Sequence, residues 1–381
     1  MKNAIRFKGF VLALLCLLTV FGCPMTANAA EKPKPSAGAF VLYCMENGEI
    51  ILSKNQNKRM KPASTTKLMT TLLTLEEAAK NDRVITFTDK MVAEGSSMYL
   101  EVGEKVRLSD LAAGMMMSSG NDAANAAALS IAGSDKKFAN LMNARSKQIG
   151  MEHTHFVTAS GLDDSNHYST AYDMALLMRE GLKNEAFAAL TFQKSATVSF
   201  VEPADKKVTY PNHNRLLSLY DDCIGGKTGY TMAAGRCLVS AARRNGVTLI
   251  CVTLDDKNDW KDHAALYDYG FSKLSGFHSA DSSLCIELPC VGSEKDSVGV
   301  MGDGDVLLVV PCGKADKIKK IIYLDSFVYA PVKEGEKLGK IDYVLDGKVL
   351  HSTKLTAIES ADRQKVKKSI FQRIKELFTY G

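Results

Sequence analysis

The stretch GGKTGYTMAAGRCLVSAARRNGVTLICVTL, residues 225–254, decides the fold. Its three runs, 225–231, 236–244 and 246–254, are separated by short breaks, and Asn245-Gly246 suits the left-handed backbone of a tight hairpin turn. An antiparallel meander follows from that pattern. Upstream, GAFVLYCMENGEIILSKNQ (38–56) reads as two more strands joined near Asn47-Gly48, and downstream NDWKDHAALYDYGFSKLSGF (258–277) reads as a helix. Between them the chain is mostly helical: one helix follows Pro62, with Leu68, Leu72, Leu75 and Ala79 on one face. Two helices separated at Ser119-Gly120-Asn121 fill 109–130, another spans about 134–149, and one is capped by Ser169 or Thr170 with Asp173 in its first turn. The prediction is an α+β domain over residues 37–275, an antiparallel sheet flanked by helices whose edge pairing joins distant parts of the chain.

From Leu284 to about residue 360 the pattern changes. Short runs such as DVLLVVP, KKIIYLD, KLGKIDYVL and KVLHST alternate with Gly, Asp and Pro, and no helical period is sustained. A second, small all-β domain is expected there, with the boundary at about Ser275–Ser283. Residues 361–381 then place Val366, Ile370, Phe371, Ile374, Leu377 and Phe378 on one helical face, with Lys365, Lys367, Lys368, Arg373 and Lys375 opposite or along the flanks. A basic amphipathic helix of this kind suits attachment to an anionic membrane surface.

Residues 1–30 have basic residues at positions 2, 6 and 8, an apolar run from Phe10 to Phe21, and Ala27-Asn28-Ala29 before a Pro- and Lys-rich linker. They read as a cleaved secretory signal, which places the mature protein outside the cytoplasm. Bulky Phe21 fits poorly with lipid attachment at Cys23. The cysteines beyond the leader (44, 223, 237, 251, 285, 290 and 312) contain no CxxC pair, and the histidines have no metal-ligand spacing with an acidic partner. No metal or other cofactor is expected, and His153, His155, His167 and His213 read as structural. The net charge of +5 is small for 381 residues and forms no stripe of the kind that binds nucleic acid.

Three short segments carry the chemistry. In KPASTTKLMT (61–70), Ser64 and Lys67 stand three apart and would share a helix face, a nucleophile beside a base. On its own this pair reads equally as a helix cap beside a surface lysine. Ser119-Gly120-Asn121 and then Lys227-Thr228-Gly229 follow in order, the latter offering a cation, a hydroxyl and a residue without a side chain on a strand. This ordered set resembles that of the low-molecular-mass penicillin-binding proteins, serine-type D-alanyl-D-alanine carboxypeptidases, with Ser-Gly-Asn as the middle element. FVTASGLDDSNHYSTAYDMALLMR (156–179), NHNRLL (212–217) and the meander are similar to the same family in order and spacing.

The resemblance implies a β-lactamase/transpeptidase-like fold and acyl transfer to Ser64 with Lys67 as base. It further implies an oxyanion hole from the backbone N–H groups of Ser64 and Tyr230, and proton transfer to the leaving group through Ser119. Asn121 would bind the substrate amide, and Lys227 and Thr228 its terminal carboxylate. Gly229 would leave room for a peptide beside the strand. The implied partners are peptidoglycan stem peptides and β-lactam inhibitors, at the outer face of the cytoplasmic membrane. One departure stands out: several such enzymes have a carboxylate-gripping arginine beyond the strand that follows Lys-Thr-Gly, where DDKNDWKDH (255–263) has none, so either Lys261 substitutes or Lys227 and Thr228 suffice. Asp163-Asp164 would order its loop, which lacks the glutamate and asparagine arrangement of a deacylating β-lactamase. A D,D-endopeptidase or transpeptidase, and an inactive wall-binding regulatory protein that keeps the fold, are the competing readings.

Overall fold

The computed structural model of the chain describes residues 31–365. The leader and most of the basic tail, residues 1–30 and 366–381, lie outside them. Strands β1 (Ala39–Cys44) and β2 (Ile50–Lys54) form the N-terminal hairpin, and a 3₁₀ turn, Ala63–Thr66, leads directly into α1 (Lys67–Ala78). Next come β3 (Val84–Thr86), β4 (Lys105–Arg107), α2 (Leu108–Met117), α3 (Asn121–Ala132), α4 (Asp135–Ile149), α5 (Ala171–Lys183) and α6 (Glu185–Phe192). A small hairpin, β5 (Ser195–Ser199) and β6 (Lys207–Pro211), and the short α7 (Leu216–Leu219) precede the meander β7 (Cys223–Thr231), β8 (Gly235–Arg244) and β9 (Val247–Leu254). Helix α8 (Asp259–Lys273) closes this domain.

The main sheet runs β2-β1-β9-β8-β7 and is antiparallel throughout, with Val41 opposite Val252 and Lys227 opposite Val239. Side chains alternate along β9, so Ile250, Val252 and Leu254 pack into the core beneath the helices, while Val247, Leu249 and Cys251 pack on the face that α8 covers. Because both faces are buried, β1 reads as an unbroken apolar run and β9 as one interrupted only by Thr248 and Thr253. The first core also takes the alanines of α3 and Met115, Met116 and Met117, all fully buried, which is why that region is poor in large polar residues. Arg145 on α4 pairs with Glu76 of α1 at 2.7 Å and Glu180 of α5 at 3.0 Å, fastening three helices.

Expectation and structure differ at three places. Ser64 was expected in the first turn of an α-helix, but it sits in the 3₁₀ turn before α1, where Thr65 donates from N and Oγ1 to the Pro62 carbonyl. The boundary expected at 275–283 is crossed by β10 (Leu274–Ser279), which pairs along its length with β13 (Val306–Pro311), so the chain enters the second layer straight from α8. The second domain otherwise comprises β11 (Cys285–Val291), β12 (Ser297–Gly302), β14 (Lys319–Leu324), β15 (Val328–Tyr329), β16 (Lys337–Leu345) and β17 (Lys348–Ala357). These form a sheet in the order β14-β16-β17-β12-β11-β15. Finally, residues 361–365, assigned to the amphipathic tail, are extended, with Ala361 paired to Val332 and Arg363 to Ser293. The helical pattern of the tail therefore begins no earlier than residue 366.

His263, fully buried under the sheet, holds β8, β9 and α8 together: Nδ1 lies 2.7 Å from Ser240 Oγ and Nε2 3.1 Å from Thr253 Oγ1, while Ser240 also meets Tyr267. Burial pushes this imidazole from 6.5 down to about 3. The folded protein keeps the ring neutral while the unfolded chain takes up a proton, so its stabilising contribution is complete above about 6.5 and is lost as pH falls towards about 3. Urea denaturation across that window should show a shallower acid-side loss for His263→Phe than for wild type. Equal slopes would remove His263 from the account.

Candidate active site

Local structure brings the three sequence segments to one cleft. The Ser64 turn is pressed from both sides by glycines: a Cβ on Gly161, whose φ is +81, would stand 2.0 Å from the Ala63 carbonyl oxygen. One on Gly229 would stand 3.0 Å from the Ser64 and Thr65 amide nitrogens. The absence of a side chain at Gly229 thus lets the Ser64 turn approach the strand, while Gly229 itself lines the cleft. Ala63 and Ser119 hold φ values of +50 and +58, left-handed conformations that cost a residue with a side chain roughly 1–3 kcal/mol each. Both flank the cleft.

Lys67 is fully buried, and its Nζ lies 2.6 Å from Asn121 Oδ1, 2.7 Å from the Ser160 carbonyl and 3.1 Å from Ser64 Oγ. A neutral amine has two N–H bonds and one lone pair. In the neutral amine the two shorter contacts, both to acceptors that cannot donate, would take the hydrogens and leave the lone pair for the serine hydroxyl. Burial, and then the charge of Lys227, hold the Lys67 amine well below its usual pKa; Asp122 works weakly in the opposite sense. Lys227, itself 1% exposed, is pushed down by burial to about 7 and donates to Ser119 Oγ at 3.0 Å and to the Thr228 carbonyl at 2.8 Å.

Asn121, expected to bind the substrate amide, is held on both sides in the free protein: its Oδ1 accepts from Lys67 and its Nδ2 donates to the Glu94 carbonyl at 2.5 Å, so the carboxamide spans the two segments. Its neighbour Asp122 accepts from the Met98 and Leu100 amides and from Ser97 Oγ, fixing the loop that supplies Ser96 to the rim. Ser64, Ser119, Thr228, Gly229 and Tyr230 all line the cleft, with Tyr230 65% exposed. Among the histidines, His167 braces the serine turn: Nδ1 accepts from the Val157 and Thr158 amides, which leaves Nε2–H to donate to Thr66 Oγ1 at 2.8 Å, and burial pushes the ring down to about 4. His213 reaches the cleft wall, its pKa lowered by burial and by Lys227. Asp163 takes a hydrogen bond from Thr231 Oγ1 and lies 3.5 Å from Lys61 Nζ, tying its loop to the end of β7.

Four cleft residues escaped the sequence reading: Ser96, Arg236, Asp259 and Trp260. Arg236 on β8 stands opposite Tyr230 across the turn joining β7 to β8, and its guanidinium meets Asp259 in a bidentate pair, Nη2 to Oδ1 at 2.6 Å and Nε to Oδ2 at 3.1 Å, beside the Trp260 ring. All three line the cleft, whereas Lys261, the expected substitute for a missing arginine, is exposed and does not. Only the strand register reveals this, because Arg236 lies seven residues past Gly229 on the neighbouring strand rather than beyond β9. Among the described residues, no group of three or more His, Cys, Asp or Glu could hold a metal ion, and no helix is long and apolar enough to cross a membrane.

Comparison with known proteins matches residues 26–258 to the family described as D-alanyl-D-alanine carboxypeptidase, and residues 277–363 to the C-terminal domain of penicillin-binding protein 5. A relative in Bacillus subtilis, D-alanyl-D-alanine carboxypeptidase DacF, is 31% identical over 344 residues, covering 88% of this chain and 87% of its own. The crystal structure of Haemophilus influenzae penicillin binding protein 5 superposes with a TM-score of 0.65 at 29% identity, over 87% of this chain and 99% of that one. A Streptomyces K15 DD-transpeptidase variant superposes with a TM-score of 0.60 at 30% identity, over 63% and 99% respectively.

The electrostatics can be checked without any substrate. Removing the Lys227 charge should let the Lys67 amine titrate at higher pH, because a repelling neighbour is lost. Nζ-detected NMR on wild type and Lys227→Met would show that rise; an unmoved Lys67 would mean that burial alone sets its pKa.

Proposed function

The chain belongs to the D-alanyl-D-alanine carboxypeptidase family of penicillin-binding proteins, and from that premise we propose that it removes the terminal D-alanine from peptidoglycan stem peptides through an ester on Ser64. The observation that carries the reading is the buried Lys67 amine, 3.1 Å from the Ser64 hydroxyl and held by Asn121 Oδ1 and the Ser160 carbonyl.

Ser64 Oγ attacks the carbonyl carbon of the penultimate D-alanine while its proton passes to Lys67. The carbonyl oxygen becomes an oxyanion that the backbone N–H groups of Ser64 and Tyr230 stabilise. As the tetrahedral intermediate collapses, the C–N bond breaks and the proton held by Lys67 passes to the departing amine through Ser119, which Lys227 holds in place. Water then attacks the ester carbonyl and gives a proton to Lys67, which returns it to Ser64 Oγ as the ester C–O bond breaks. A β-lactam acylates the same oxygen, but its ring-opened leaving group stays tethered, so the ester persists. Asn121 serves as a positioning residue for Lys67.

The substrate carboxylate is drawn by Lys227 and bound by Thr228 and Arg236. Asp259 fixes the guanidinium plane through Nε and Nη2, and Arg236 lines the cleft. We also read the enzyme as exported and held at the outer face of the cytoplasmic membrane, a reading that rests on the leader pattern of residues 1–30 and the basic amphipathic pattern of 366–381.

Incubating the mature protein with a pentapeptide muropeptide should release one free D-alanine, and Ser64→Ala should release none; retention of all five residues by the wild type would sink the proposal. Arg236→Gln should lower kcat/KM by about tenfold to a hundredfold, the worth of a charge-assisted hydrogen bond, mainly through KM. An unchanged KM would remove Arg236 from carboxylate binding. Because free-enzyme Lys227 titrates at about 7, its charge is present below that pH and lost above it, so kcat/KM should fall on the alkaline side. At saturation the bound carboxylate keeps the amine charged, and the kcat limb should lie at higher pH. Superimposable kcat and kcat/KM limbs would contradict this assignment.

A further inference from the structure

The second domain has an apolar corner that the reaction does not use. Strand β15 runs parallel to β11, and at their shared end Val291 is 48%, Phe327 44% and Tyr329 70% exposed, the two rings meeting edge to face at 5.3 Å. Three large apolar side chains standing together at a sheet edge are costly in water.

The last described residues run along this same corner. Ala361 exchanges two backbone hydrogen bonds with Val332 at 2.9 Å, Arg363 Nε donates to the Ala330 carbonyl at 3.1 Å, and the Gln364 amide donates to the Gly292 carbonyl at 2.8 Å. Val366, the first apolar residue of the amphipathic pattern, therefore follows Gln364 by two residues, a reach of no more than about 7 Å. If the tail lies on a bilayer, this corner has to lie within the same shallow layer, since the polar zone on each side of a bilayer is about 5–8 Å deep.

We propose that Val291, Phe327 and Tyr329 form a second membrane contact, seated in the headgroup layer of an anionic bilayer beside residues 366–381. This rests on the reading above that the tail binds membrane. Aromatic rings, tyrosine in particular with its apolar body and polar tip, favour that layer. Positive charge comes from Lys365, Lys367, Lys368, Arg373 and Lys375, whereas Asp325 and Glu336, at the rim of the corner, would stay in water. Two contacts on one rigid domain would fix its orientation, and with it the height of the Ser64 cleft above the surface. A lone tail would let the protein swivel.

The chain has a single tryptophan, Trp260 in the cleft, so a second one can be read by difference. Y329W and, separately, F327W in the full-length mature protein are mixed with phosphatidylglycerol vesicles whose acyl chains are brominated near the headgroup, and binding is measured independently by co-sedimentation. The expected result is co-sedimentation of all forms, with bromine quenching of the added indole and none in wild type. Binding with no quenching in either variant overturns the proposal and leaves the tail reading standing; no binding of any form overturns both. Emission already blue-shifted without vesicles, and red-shifted on deletion of 366–381, would show that the tail itself covers the corner, which also overturns it. Acylation by a fluorescent penicillin reports that each variant has folded.

Discussion

The buried amine of Lys67 is the constraint around which the rest of the site is arranged. Taking an ammonium out of water costs several kcal/mol even after relaxation, and here a second lysine is buried close enough to raise that cost. The protein eases it by holding the Lys67 pKa well below its usual value and by supplying two acceptors, Asn121 Oδ1 and the Ser160 carbonyl. Those acceptors also fix the direction from which the amine meets Ser64.

Much of the surrounding architecture answers to that requirement. Asn121 opens α3 with its carboxamide stretched between Lys67 and Glu94, and Asp122 beside it secures the rim loop. Ser160 belongs to a segment whose preceding carbonyl, that of Ala159, accepts from Thr70 on α1, and which His167 clamps to the serine turn. The edge strand β7 approaches that turn more closely than a side chain at Gly229 would allow. Left-handed backbone at Ala63 and Ser119 stores strain that a well-packed surrounding can sustain. Buried threonines, glycines and a neutral histidine thus place the nucleophile without adding a competing charge.

Most of the framework was legible because periodicity and turn chemistry agree there: the β7–β9 meander, the Asn47-Gly48 hairpin and the helices of residues 109–149 all have one dominant pattern. Residues 184–211 were not resolved into α6, β5 and β6, because that hairpin is short and half-exposed and so leaves little alternation to read. The three motifs brought together Ser64, Lys67, Ser119, Lys227 and Thr228, but they could not say what each side chain touches. Asn121 is an example: sequence position alone does not show that its carboxamide reaches both Lys67 and the Glu94 carbonyl. Arg236 was invisible because its place in the cleft comes from pairing across a turn, a relation that spacing along the chain does not express. The strand Leu274–Ser279 was likewise missed: a run of six residues directly after a helix carries no signal of its own until its partner β13 is known.

The central claim is that Lys67 acts as an uncharged base towards Ser64. Its most direct test is the rate at which a β-lactam acylates Ser64, followed by intact-protein mass as a function of pH. The account predicts a rate that rises with pH along the titration of the Lys67 amine measured in the free protein, and no adduct with Lys67→Ala. An acylation rate that ignores that titration, or a Lys67→Ala protein that acylates as fast as wild type, would contradict it.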